Sequence, residues 1–181
     1  MCQTPLLDAT ELAWNTQNAH NCKLPQRESV QIATTTSKQW AVCQTTTPSA
    51  SFSIQAAGCH HLILGFAPRG STKYSDVQGL HLDFRTGRAL WSPEIKTIVD
   101  GESVVATGDQ PVVWTAAIQD GTVYFWRNGA LLGVRVEIPA SLLATDSKSW
   151  FPTIATKGHT GGSETSVALI NRRSKVADVV A

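Results

Sequence analysis

A chain of 181 residues can bury roughly 70% of the surface its unfolded form exposes, so one domain with its own core is expected and no disulfide is needed to hold it. With 42% hydrophobic and only 16% charged residues, and a formal net charge of +1, it lacks the basic footprint that carries nonspecific binding to nucleic acid or anionic membranes. Its surface must rely on Thr, Ser, Gln and Asn.

The chain has no basic start followed by an apolar run and no apolar stretch near 18 residues, which predicts a soluble, cytoplasmic protein with no membrane partner. Cys2, Cys22, Cys43 and Cys59 are widely spaced, with no Cys-x-x-Cys pair, and read as reduced thiols.

In chain order, Asp8 with Glu11 three residues on forms a capping box, predicting a short helix through Trp14. Alternation around Val30, Ile32 and Thr34, then around Trp40 and Val42, predicts two strands before residue 45. Further strands are expected at 51–55, 61–66, 80–84, 89–92 and 95–99, with another at 104–107. The stretch 108–138 is the clearest. Asp120-Gly121 and Asn128-Gly129 are hairpin dipeptides, and they divide it into strands at 112–118, 122–127 and 131–138. Pro111 removes a ladder donor, so the first of these must begin at an edge or outside the sheet. A polar stretch at 141–149 predicts a loop with a 3₁₀ turn. Closing strands follow at 150–155 and 166–170, on either side of a glycine-rich loop. Many short strands with almost no helical period predict an all-β sandwich of two antiparallel sheets.

Several runs then line up in order. Phe52-Ser53-Ile54 precedes Leu64-Gly65-Phe66-Ala67-Pro68; a strand at 80–84 leads into Thr86-Gly87 and Trp91-Ser92. Gly108-Asp109 precedes Asp120-Gly121-Thr122-Val123-Tyr124-Phe125, Asn128-Gly129 and Gly133-Val134, and Phe151-Pro152-Thr153-Ile154 follows. Over residues 50–170 this resembles a SPRY domain of the B30.2 family. It departs from the family's pattern after Gly108-Asp109, where Gln110-Pro111 stands. The resemblance implies a bent, concanavalin-like jelly roll with an N-terminal segment (1–49) packed on it and a tail (171–181). It also implies a non-catalytic module that binds a protein or peptide through its loops, as part of a hetero-complex and without a cofactor.

The residues support that absence of chemistry. Asp83, Glu94 and Asp109 have no carboxylate two residues away, as a glycosidase sandwich would want; Asp100 and Glu102 have that spacing but lie at the turn expected at Asp100-Gly101, and no nucleophile elbow or phosphate-binding glycine motif occurs. Cys59, His60 and His61 are the densest group of metal-ligand types, but strand neighbours His60 and His61 diverge, so no metal site is expected. If Val123 and Phe125 face the core, Tyr124 and Trp126 share the opposite face. They form a contact pair there unless a loop or the N-terminal segment covers them. Arg69 and Tyr74 in the loop after 67, and Lys157 and His159 in the glycine-rich loop, complete the expected partner-binding set. The alternative is a lectin-like sandwich that stacks carbohydrate on its aromatics.

Overall fold

The computed structural model describes residues 12–17, 19–24, 29–32, 40–58, 61–70, 80–83, 88–90, 96–99, 110–138, 150–157 and 165–170. Twelve strands lie among them: β1 (Ser29–Ile32), β2 (Ala41–Gln44), β3 (Ser51–Ala57), β4 (His61–Ala67), β5 (Leu80–Asp83), β6 (Arg88–Leu90), β7 (Lys96–Val99), β8 (Val112–Gln119), β9 (Thr122–Arg127), β10 (Ala130–Glu137), β11 (Phe151–Lys157) and β12 (Thr165–Leu169). They form an all-β sandwich of two sheets. The larger has seven strands in the order β1-β12-β3-β8-β9-β10-β7, and the smaller has five in the order β2-β11-β4-β5-β6. Every paired strand is antiparallel. The chain passes repeatedly between the sheets, so neighbours within a sheet are often remote in sequence.

The predicted meander is the β8-β9-β10 block of the larger sheet. Its turns use the backbone freedom that the dipeptides supply: Asp120 and Gly121 have φ of 47° and 74°, Asn128 and Gly129 have 49° and 80°. Asn128 also ties its turn to β8, since its backbone N–H donates to the Val113 carbonyl (2.8 Å) and its Oδ1 accepts from the Val113 N–H (3.0 Å). Pro111 stands just outside β8, as its missing donor requires.

The core lies between the sheets. From the larger sheet it takes Phe52 and Ile54, Trp114 and Ala116, Val123 and Phe125, and Val134 and Val136; from the smaller it takes Leu62, Leu64, Phe66 and Ile154. Each set is spaced by two, the period of a strand with one face inward. Phe52 and Phe66 join the layers edge to face, with ring centroids 5.4 Å apart and planes at 84°. Between β9 and β10 the register slips by two residues: Leu131 pairs with Trp126 but Arg135 with Tyr124. A shift of two preserves which side chains face inward, so Val134 and Val136 stay in the core.

Residues before 50 belong to both sheets, β1 pairing with β12 and β2 with β11. The expected helix through Trp14 is corrected where it is described. Trp14 bridges Thr45 in antiparallel fashion, and the Ala13 carbonyl accepts from Thr46 N–H at 2.9 Å. Leu12 and Trp14, two apart, both enter the core cluster, and that burial outweighs the local capping preference. The rest of that helix, the strand expected at 104–107, the 3₁₀ turn in the 140s and the tail lie outside the described residues. No helix among the described residues is long and apolar enough to cross a membrane.

Pro152 sits inside β11 without cost to the β4 ladder. Its carbonyl accepts from Thr45 N–H (3.0 Å), so in an antiparallel strand its ring nitrogen lies on that same side, where β2 has already ended at Gln44. Thr156 is less well served: it is buried on the inward side of β11, two residues from Ile154, and its hydroxyl has no hydrogen-bond partner among the described residues. Thr156→Val keeps the shape and removes the orphan group, so it is expected to stabilise the fold by about 1 kcal/mol in urea unfolding. A loss of stability would show that the hydroxyl is satisfied in solution.

Candidate binding surfaces

Alternation assigns the outward faces. On the larger sheet, with Val123 and Phe125 inward, Tyr124 and Trp126 point out, as expected. Register aligns Ser53, Thr115, Trp126 and Leu131 in one row, and Ser51, Ala117, Tyr124 and Arg135 in the next. In the first row the Ser53 and Thr115 hydroxyls lie 2.6 Å apart. A third row runs through Gln119, Thr122 and Glu137.

Trp126 is the correction on this face. It is only 1% exposed, so it offers no surface to a partner, whereas Leu131 across from it is 44% exposed. Tyr124 is half-buried, with its ring centroid 6.2 Å from that of Trp126 and the planes at 49°. The tryptophan therefore acts as support for the tyrosine. Around Tyr124 stand Gln119, Thr122, Arg135 and Glu137, each half-buried. The result is a small patch with one aromatic face ringed by an amide, a hydroxyl, a guanidinium and a carboxylate. All of these sit on sheet positions that the backbone ladder holds in place.

The smaller sheet has a different outward face. Val42, Ile63, Ala67 and Ala155 form a second buried apolar cluster there, with Trp40 packed against it. A cation lies over an aromatic ring at each end of β11: Arg69 Cζ is 5.5 Å from the Phe151 centroid, and Lys157 Nζ is 5.8 Å from that of Trp40. Arg69 is exposed, but its loop is fixed from below. Gln44, fully buried, donates from Nε2 to the Pro68 carbonyl (2.9 Å) and to Thr153 Oγ1 (3.0 Å), and its Oε1 accepts from Gly70 N–H (2.9 Å). A third such pair, Arg127 Cζ 5.4 Å from the Trp114 centroid, caps the core at the end of β9.

The expected contact set therefore does not converge. Tyr124 lies on the outer side of one sheet and Arg69 and Lys157 on that of the other, with the core between them. Tyr74 and His159 lie outside the described residues. Sequence reasoning missed Gln119, Thr122, Arg135 and Glu137 as neighbours of Tyr124. The Asp120-Gly121 turn already pairs Gln119 with Thr122, whereas the placement of Arg135 depends on the two-residue slip in β10. Among the described residues no three His, Cys, Asp or Glu side chains come together to hold a metal ion. Cys22 and Cys43 are free thiols.

No family model and no curated protein sequence matches the chain. Solved structures similar in outline include the carbohydrate-binding module CBM66 from Bacillus subtilis, at 7% identity and a TM-score of 0.46, covering 88% of this chain and 92% of that one. A Bacillus licheniformis β-glucanase is similar at 8% identity and a TM-score of 0.42, over 93% and 88% of the two chains. A protein of unknown function with a galectin-like fold from Bacillus subtilis is similar at 12% identity and a TM-score of 0.39, over 90% and 89%. At these TM-scores none of them lends a role to a residue of this chain.

Proposed function

We propose that this chain is a non-catalytic carbohydrate-binding module that seats a saccharide on the Tyr124 patch. The observation that carries the reading is the half-open Tyr124 ring, backed by buried Trp126 and ringed in register by Gln119, Thr122, Arg135 and Glu137. A sugar ring has one face of C–H groups and a rim of hydroxyls that both donate and accept. An aromatic plane takes the first, and amide, carboxylate and guanidinium groups take the second. One stacked ring and a few half-exposed hydrogen bonds support a dissociation constant of about 0.1–1 mM. Hydrolysis would need a second carboxylate roughly 5–9.5 Å from the first. Glu137 is the one carboxylate of this patch among the described residues.

A glycan array followed by titration calorimetry tests the reading. Tyr124→Ala should weaken binding at least tenfold while leaving the melting temperature within about 2 °C, since the ring is half-exposed. An array with no binding by the wild-type protein, or equal binding by the variant, ends it. A second reading, protein recognition of the SPRY type, draws on the exposed Arg69 placed over Phe151 on a loop anchored by Gln44. It requires a protein partner captured by the wild type and lost with Arg69→Ala.

A further inference from the structure

We propose that Cys22 and Cys43 form a reversible disulfide that staples the 19–24 segment to the edge strand β2. Their Sγ atoms are 2.8 Å apart, about 0.8 Å from bonding distance. The approach is built by the backbone on both sides. His20 pairs with Val42 through two bonds, His20 N–H to the Val42 carbonyl at 3.0 Å and Val42 N–H to the His20 carbonyl at 3.1 Å. Asn21 then adopts a left-handed φ of 55°, and its Nδ2 donates to the Trp40 carbonyl at 2.9 Å. That turn ends the pairing and brings Cys22 against Cys43, which points inward from β2 into the core cluster.

The two thiols are unequal in a way that suits exchange. The hydrogen bond from Cys43 holds the Cys22 thiol below its usual range, against the opposing effect of burial, with a backbone hydrogen bond from His20 adding to the lowering. The same pairing, with burial and the charge on Cys22, pushes the Cys43 thiol up. Half-exposed Cys22 is therefore the attacking thiolate and buried Cys43 the resolving group. With a low-molecular-weight disulfide such as oxidised glutathione, the Cys22 thiolate attacks one sulfur. The glutathione bond breaks, and the first glutathione leaves and takes up a proton. Cys43 then loses its proton and attacks Cys22 Sγ, releasing the second glutathione. Two protein thiols are oxidised by two electrons while one glutathione disulfide becomes two thiols.

The staple acts on a segment tied to β2 and its continuation by single bridges at Trp14 and His20. Ala19, Cys22 and Leu24 pack against the core from that segment, so closing residues 22 and 43 into a loop fixes a cover over the open edge of the sandwich.

The test uses the full chain carrying Cys2→Ser and Cys59→Ser, which leaves only this pair. Incubation with oxidised glutathione should give a product about two mass units lighter, one Cys22–Cys43 linked peptide on mapping, and a melting temperature raised by about 5–10 °C, all reversed by dithiothreitol. Cys22→Ala in the same background should lose both the link and the thermal gain, and Cys43→Ala should stop at a stable glutathione adduct on Cys22. A glutathione adduct persisting in the parent protein overturns the proposal, as does a link that leaves the melting temperature unchanged or lowers it.

Discussion

Trp126→Ala is expected to lower the unfolding free energy by about 3–5 kcal/mol, or roughly 8–16 °C in melting temperature for a chain of this size. The side chain points away from the main core, yet it is only 1% exposed and lies beside the half-open ring of Tyr124, with centroids 6.2 Å apart. Truncation removes an indole from a fully enclosed site between Thr115 and Leu131, its partners in register, and the cavity left cannot collapse without moving the sheet. Trp126→Phe, which keeps a ring in the site, should recover about half of the loss. Tyr124→Ala makes the contrast: it should leave stability nearly intact and remove saccharide binding. Urea unfolding of the three variants separates support from contact. A Trp126→Ala protein that melts within 2 °C of the wild type would show the indole to be dispensable, and Trp126 would return to the contact set.

That tryptophan also marks where sequence reasoning stopped. The strands were legible because each carries its own signal, with alternation over Val123 to Trp126 and a left-handed dipeptide at each end of β9. The inward and outward sets followed from the period of two. Exposure did not follow, because it depends on neighbours across the sheet, Thr115 and Leu131 among them, whereas alternation reports only which side of the sheet a residue occupies. Register across the sandwich was hidden for the same reason. Ser29 pairs with Ala168, and Gln44 bonds Thr153 at a separation of 109 residues, and neither pairing leaves a local trace. The Asp8 capping box was a local signal that lost. The spacing of Leu12 and Trp14 fits a strand edge with one buried face, and the core took both.

Gln44 is the residue whose importance was least visible in advance, and its replacement has the second large expected effect. Gln44→Leu preserves the volume but removes the amide's bonds to the Pro68 carbonyl and the Gly70 N–H, while Thr153 keeps its bond to the Phe151 carbonyl at 2.8 Å. Losing two such bonds costs about 1–3 kcal/mol each in a buried setting, and water at this exposed loop relieves part of that, so a loss of about 2–4 kcal/mol is expected. The more specific readout is local. With the loop released, trypsin should cut after Arg69 faster at temperatures where the fold is otherwise intact. An unchanged cleavage rate would show that the loop holds its place without Gln44. Gln44→Glu sharpens the test through pH. An ionised carboxylate still accepts from Gly70 N–H but cannot donate to the Pro68 carbonyl or to Thr153, whereas its protonated form can replace the amide donor. Burial raises the folded-state pKa of the introduced carboxyl above its unfolded value, so the folded state binds the proton more tightly. The stabilisation it offers is complete at low pH and lost as pH rises through that folded pKa. The deficit relative to wild type should therefore shrink on acidification for Gln44→Glu and stay constant for Gln44→Leu; parallel pH profiles for the two variants would mean that donation to the loop is not what Gln44 contributes.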